Sequence, residues 1–198
     1  MFYRKYNYFI IFGVILLLVS GCTKSYVDPT YGKTSYDDIE RRADPFKWQI
    51  QVEFQRNGEP YPQANELVYA QVERIVRASG LAVPVERANK ATLKIILNNV
   101  VDLGEAAAKG FGTGLTFGLA GSTVTDYYEM DVTLTDGDMV IKKPKYKHAI
   151  HSTVGNASAP IGLSPVPVNE AFSIVLEEMV LNALKDLEIE LKEQMPRD

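Results

Sequence analysis

Residues 46–55, FKWQIQVEFQ, decide the fold of this chain. Large apolar side chains occupy every second position of this stretch and alternate with Lys, Gln and Glu; they are Phe46, Trp48, Ile50, Val52 and Phe54. Because successive side chains of a β-strand point to opposite faces of the sheet, the alternation predicts a strand with one buried and one solvated face. The predicted strand ends at Asn57-Gly58.

Two other stretches of the sequence have the apolar spacing of amphipathic helices. The first covers residues 62–79 and places on one face Val68, Val72, Ile75 and Val76. Gly80 follows it and suits a left-handed helix C-cap. The second covers residues 168–194 and carries one stripe of Phe172, Val175, Met179, Asn182 or Ala183, and Leu187. We therefore predict one shorter internal helix and one long C-terminal helix.

The remaining apolar runs predict strands at residues 81–85, 92–101, 127–135 and 139–154. Asp136-Gly137 joins the last two as a primed hairpin turn, which requires positive φ. The predicted order is β-α-β-β-β-β-α in one domain of residues 46–195. Such a pattern indicates an α+β fold, a two-layer sandwich with two helices packed on one face of a mostly antiparallel sheet.

Composition limits the function classes. The 198-residue chain is 46% hydrophobic with a formal charge of −4, which becomes −6 once residues 1–21, containing Arg4 and Lys5, are removed. An acidic chain without a basic cluster is a poor nucleic-acid binder, since phosphate binding requires clustered Lys and Arg. The single cysteine, Cys22, excludes an internal disulfide.

The N-terminus has the layout of a signal peptide. Arg4 and Lys5 precede an apolar run over residues 8–19, which is shorter than the about 20 apolar residues that span a bilayer. The junction Val19-Ser20-Gly21-Cys22 resembles the lipobox of bacterial lipoproteins. The resemblance implies cleavage between Gly21 and Cys22, a diacylglyceryl group on the Cys22 sulfur, and an acyl chain such as palmitate on the new amine.

Two or more acyl chains hold a protein stably on a membrane. Residue 23 is threonine and not the aspartate that, in the enterobacterial pattern, favours the inner membrane, so the resemblance implies the outer membrane, facing the periplasm. Residues 22–45 are polar and show no sustained apolar period. We therefore expect a lipidated cysteine followed by a flexible tether.

Residues 106–120 contain four glycines and one charge, Lys109. As a strand, this segment has large groups on one face and small residues on the other. As a helix, its glycines at four-residue spacing permit close packing, at a cost near 1 kcal/mol per glycine relative to alanine. A crossover loop burying Phe111 and Phe117 is the third interpretation. The candidate interaction residues are Gly110, Phe111, Gly114, Leu115, Phe117, Gly118 and Leu119.

With the lipobox, the stretch Leu115-Thr116-Phe117-Gly118-Leu119, the strand pair after it and the C-terminal helix, the chain resembles a group of small, largely uncharacterised Gram-negative lipoproteins. That resemblance implies no catalytic residues. The residues themselves also form no recognisable catalytic arrangement. His148 and His151 lie three apart on a predicted strand and point to opposite faces, so they do not share a metal. No Gly-x-Ser-x-Gly motif is present.

From these observations we predict a non-enzymatic, lipid-anchored binding or assembly module of the periplasm, without cofactor or metal. Its expected partners are the membrane, through the N-terminal lipid, and an unidentified envelope protein or further copies of the chain. The alternative is an oligomeric, membrane-inserting or secretion-associated lipoprotein that uses residues 106–120. An enzyme whose site the sequence hides is the third hypothesis.

Overall fold

The computed structural model describes residues 24–87, 91–101, 122–155 and 157–194. The strands in this part are β1 (Lys24–Val27), β2 (Phe46–Arg56), β3 (Glu59–Pro60), β4 (Ala82–Pro84), β5 (Ala91–Val101), β6 (Ser122–Asp136) and β7 (Met139–Val154). The α-helices are α1 (Asn65–Ser79) and α2 (Val168–Gln194), and short 3-10 helices cover Tyr36–Asp38 and Pro62–Ala64.

The strands form one sheet in the order β1-β7-β6-β5-β2-β3. β3 pairs with the end of β2, and β4 pairs with its beginning. β2 runs parallel to β5 and β4, and every other pairing in the described sheet is antiparallel. A parallel neighbour requires a crossover connection, and α1 supplies the one between β2 and β4. The predicted mostly antiparallel sheet is confirmed.

The core lies between one face of the sheet and the two helices. Trp48 and Ile50 of β2 are buried together with the predicted α1 face and with Met130 of β6 in a single apolar cluster. α1 packs on β2, α2 packs on β7, and the helices contact each other. The α+β sandwich with both helices on one face is therefore confirmed.

Turns and caps follow the local sequence. Gly80 ends α1 with φ of 72° and donates its N–H to the carbonyl of Arg77, as predicted. Asn57 and Gly58 both have positive φ, 52° and 82°, so they form a type I′ hairpin into β3, a strand that the sequence analysis missed. Asp136 pairs with Met139, so Gly137 is the first central residue of a two-residue hairpin turn. Its φ is 59°, and type II′ turns take a positive φ at this position.

The expected tether is wrong for residues 24–45, which we call the N-terminal segment. Its first four residues are β1, which pairs antiparallel with β7. Tyr26 is 2% exposed, and Ile39 is also buried. The segment has no sustained apolar period because it packs against surfaces of β7 and α2 and does not form a core of its own.

Candidate functional site

The site residues predicted from the sequence lie outside the described residues. They are Gly21, Cys22, Gly110, Phe111, Gly114, Leu115, Phe117, Gly118 and Leu119. The structure does describe the residues that flank them. Cys22 precedes Lys24, the first residue of β1, by two positions, and residues 102–121 connect Val101 of β5 to Ser122 of β6.

These flanking residues all lie at one end of the sheet. In the strand register, Lys24 pairs with Thr153, Ser122 pairs with Val154, and Val101 pairs with Asp126. We call this the Lys24 end of the sheet. Lys24, which follows the predicted lipidation site by two positions, and both residues that bound the predicted interaction segment therefore lie at the same end of the sheet.

The N-terminal segment continues from β1 along α2. Lys33 Nζ lies 3.3 Å from Glu178 Oε1, and Asn182 Nδ2 donates to the carbonyl of Gly32 at 2.8 Å. Further along, the Tyr36 hydroxyl donates to Glu177 Oε2 at 2.9 Å. Burial, together with that hydrogen bond, raises the pKa of Tyr36 to about 12.

The segment then crosses to the end of α1. The backbone N–H of Arg42 donates to the carbonyl of Gly80 at 3.1 Å, and the Arg41 guanidinium donates to the carbonyl of Ala78 at 2.8 Å. A Cβ on Gly80 would lie 2.9 Å from Arg41 Cγ. Gly80 therefore serves both the helix cap and the close approach of Arg41.

His148 is buried on the helix face of β7. The N–H of Ala149 donates to His148 Nδ1 at 2.9 Å, so in the neutral imidazole the proton is on Nε2, which donates to Glu178 Oε2 at 2.7 Å. The Tyr31 ring lies 4.9 Å from the imidazole centroid. Because Glu178 also meets Lys33, this group of side chains fastens the N-terminal segment to β7 and α2.

His151 holds the beginning of the same segment from the other face. Its Nε2 lies 3.1 Å from Asp28 Oδ2 and its Nδ1 lies 3.0 Å from Thr125 Oγ1. Burial raises the pKa of Asp28, but hydrogen bonds from Thr30 and His151 outweigh burial and leave the pKa below its ordinary value of 3.8. The two histidines contact separate partners, as the strand periodicity predicts.

An open cleft of about 420 Å³ lies where the N-terminal segment crosses the last turns of α2. It is lined by Glu40, Arg42, Phe46, Leu81, Glu188, Leu191 and Lys192. Lys192 bridges the buried Glu188 and Glu40, and Arg42 stacks 4.1 Å from the Phe46 ring centroid. The pairs of Lys192 therefore tie Glu40 of the segment to α2, and the stacking of Arg42 holds the segment against β2.

Burial raises the pKa of Glu188, but hydrogen bonds from Lys192 and Lys185 outweigh burial and hold the pKa below 4.5. The ionised form of Glu188 therefore stabilises the fold above that ordinary value, and its contribution is lost as the pH falls through the lowered pKa.

The described residues offer neither a metal-binding cluster nor a helix able to span a membrane. No group of three or more His, Cys, Asp or Glu side chains that could hold a metal ion occurs among them. Within the same described ranges, neither helix combines the length and apolarity needed to cross a membrane.

No family model and no curated protein matches the chain. Among solved structures, it is similar to a Xanthomonas campestris protein described under family model DUF330, at 13% identity and a TM-score of 0.40, over 79% of this chain and 95% of that chain. A PelC variant from Paraburkholderia phytofirmans, described as a dodecamer, gives 14% identity and a TM-score of 0.30 over 83% and 98% of the two chains. A third structure, described as an uncharacterised protein, gives 11% identity and a TM-score of 0.27 over 74% and 90%. Similarity at this level carries no inference about function or assembly.

Proposed function

We propose that the protein is a lipid-anchored, non-enzymatic module of the bacterial envelope that binds or assembles a partner at the periplasmic face of the outer membrane. The observation that carries the proposal is the N-terminal pattern: Arg4 and Lys5, a short apolar run, and Val19-Ser20-Gly21-Cys22 around the sole cysteine. Each part is what export followed by lipidation requires.

The packed N-terminal segment gives this proposal a geometry. Cys22 is separated from Lys24 by two residue steps, which span about 7 Å when extended. With the acyl chains in the bilayer, the Lys24 end of the sheet is held close to the membrane surface. The module therefore presents its partner surface next to the lipid and does not reach far into the periplasm.

Two observations support a non-enzymatic role. The pairs His148–Glu178 and His151–Asp28 fasten the N-terminal segment. In the cleft, Lys192 pairs with Glu40 and Glu188. Lipidation removes the only cysteine as a nucleophile. We also propose no cofactor and no nucleic-acid partner, in keeping with the acidic charge.

Mass analysis of protein extracted from membranes is expected to find an N-terminal peptide that begins at Cys22 and carries a diacylglyceryl group and an acyl chain. The Cys22→Ser variant is the matched control and is expected to lack this mass addition, because no other thiol is present in the chain. A mature protein that retains residues 1–21, or full membrane binding of Cys22→Ser, contradicts the anchoring proposal.

Contact with a partner, or insertion of an oligomer into the bilayer, through residues 106–120 is the second candidate function. The observation that favours it is that Val101 and Ser122, which bound this region, lie at the Lys24 end of the sheet. A single tilted strand of about ten residues is long enough to cross a bilayer, but it needs pairing around a closed ring of subunits. Protein contact is the simpler form of this hypothesis.

Replacing Phe111, Leu115 and Phe117 together by serine is expected to leave thermal stability nearly unchanged and to abolish co-purifying partners or oligomers. Thermal melting and native mass measurement follow the two effects separately. A loss of several kcal/mol in the free energy of unfolding shows instead that these side chains fill a core, and it contradicts the contact role.

A further inference from the structure

We propose that the loop of residues 157–167, between β7 and α2, lies on the lipid bilayer and inserts Ile161 into its interface. The proposal rests on the proposed function, because the lipid at Cys22 brings this end of the fold to the membrane. It adds a second, non-covalent point of contact, and with it a fixed orientation of the domain.

The loop is tied to the residues that follow the lipidation site. Ser25 and Val166 exchange two backbone hydrogen bonds: Val166 N–H donates to Ser25 O at 2.8 Å, and Ser25 N–H donates to Val166 O at 3.3 Å. Ser25 is three positions after Cys22, and Ile161 is five positions before Val166. Extended chain of those lengths reaches about 10 Å and about 17 Å, so Ile161 stays near the attached lipid.

Ile161 is the most exposed large apolar side chain of the described residues, at 102% of its reference area. It occupies a turn that Leu163 N–H closes on the carbonyl of Pro160 at 3.3 Å, with Gly162 at a φ of 79°. The turn holds Ile161 at the apex of the loop. Val168, the first residue of α2, adds a second exposed apolar group two positions beyond the Ser25 pairing.

The surroundings of Ile161 suit a lipid interface. Every side chain from residue 152 to residue 169 is uncharged, so the loop approaches the bilayer without the cost of desolvating a charge. The apolar faces of interfacial helices are buried at the boundary between headgroups and acyl chains, and an apolar side chain at the apex of a loop has the same environment available to it there. The acyl chains on Cys22 keep the bilayer permanently within reach of the loop.

A thiol-reactive fluorophore tests this contact in the lipidated full chain. Lipidation consumes the sulfur of Cys22, so Ile161→Cys introduces the only free thiol for a polarity-sensitive nitrobenzoxadiazole probe. The matched control is Val140→Cys, because Val140 is also exposed and apolar (52%). It lies near the other end of β7, roughly 40 Å from Thr153 at about 3.3 Å per residue.

Both labelled proteins are extracted from membranes and reconstituted into phosphatidylethanolamine–phosphatidylglycerol vesicles. The probe at residue 161 is expected to shift its emission to shorter wavelength and to lose intensity when the vesicles contain lipids with nitroxide groups near the top of the acyl chain. The probe at residue 140 is expected to show neither change and to be quenched by aqueous iodide.

The other outcomes separate the two proposals. If both proteins float with the vesicles and the two probes respond alike to nitroxide lipid and iodide, the anchoring stands and the loop contact is overturned. If neither protein floats and Cys22 reacts with the fluorophore, the anchor itself is absent and both proposals fail.

Discussion

Replacing Trp48 by alanine is expected to lower the free energy of unfolding by about 3–5 kcal/mol, the usual cost of truncating a buried aromatic side chain. Trp48 is 1% exposed in the middle of the core. It stacks on Phe46 with ring centroids 5.7 Å apart and an interplanar angle of 9°. The truncation therefore leaves a cavity between β2 and the helices that rigid neighbours fill only in part.

Urea unfolding of a form that begins at Thr23 measures this effect. Gln51→Ala on the same strand is the matched control, since Gln51 lies on the opposite, exposed face, and exposed substitutions usually change stability by less than about 0.5 kcal/mol. A loss below about 1 kcal/mol for Trp48→Ala contradicts the burial that the alternation predicts.

Replacing Tyr26 by alanine is expected to cost about 3 kcal/mol and to release β1 from the edge of the sheet. Tyr26 is 2% exposed, and its neighbours in β1 pair residue by residue with β7. Lys24→Ala is the control, because Lys24 lies on the same strand with its side chain exposed. A flexible tether would give the two variants the same stability.

The rate of limited proteolysis is a second measurement on the same two variants. In Tyr26→Ala, cleavage after Lys33, Arg41 and Arg42 is expected to become faster than in Lys24→Ala, since release of β1 weakens the docking of the whole N-terminal segment. Equal unfolding free energies and equal cleavage rates for the two variants contradict the packed segment. Freed from the sheet, its 22 residues reach about 75 Å when extended. Under the proposed anchoring at Cys22, we therefore expect Tyr26→Ala to let the domain stand farther from the membrane.

Local patterns in the sequence were sufficient for most of the sheet and for both helices. The alternation in β2, the buried face of α1, the Gly80 cap and the β6–β7 hairpin involve residues within a few positions of one another, and the backbone period alone determines which face each side chain takes. A signal for export and for lipidation at Cys22 is likewise predicted from the sequence alone, because such signals are linear patterns that other proteins recognise. That part of the site stays a prediction.

Only the tertiary structure decided the course of the N-terminal segment and the partners of the histidines. His148 finds Glu178 across 30 positions, and His151 finds Asp28 across 123; no local period encodes pairs so far apart. β1 has four residues and becomes a strand because β7 offers unpaired backbone groups at its edge. The same long-range packing places the Ile161 loop beside β1, because Val166 and Ser25 pair across 141 positions of the chain.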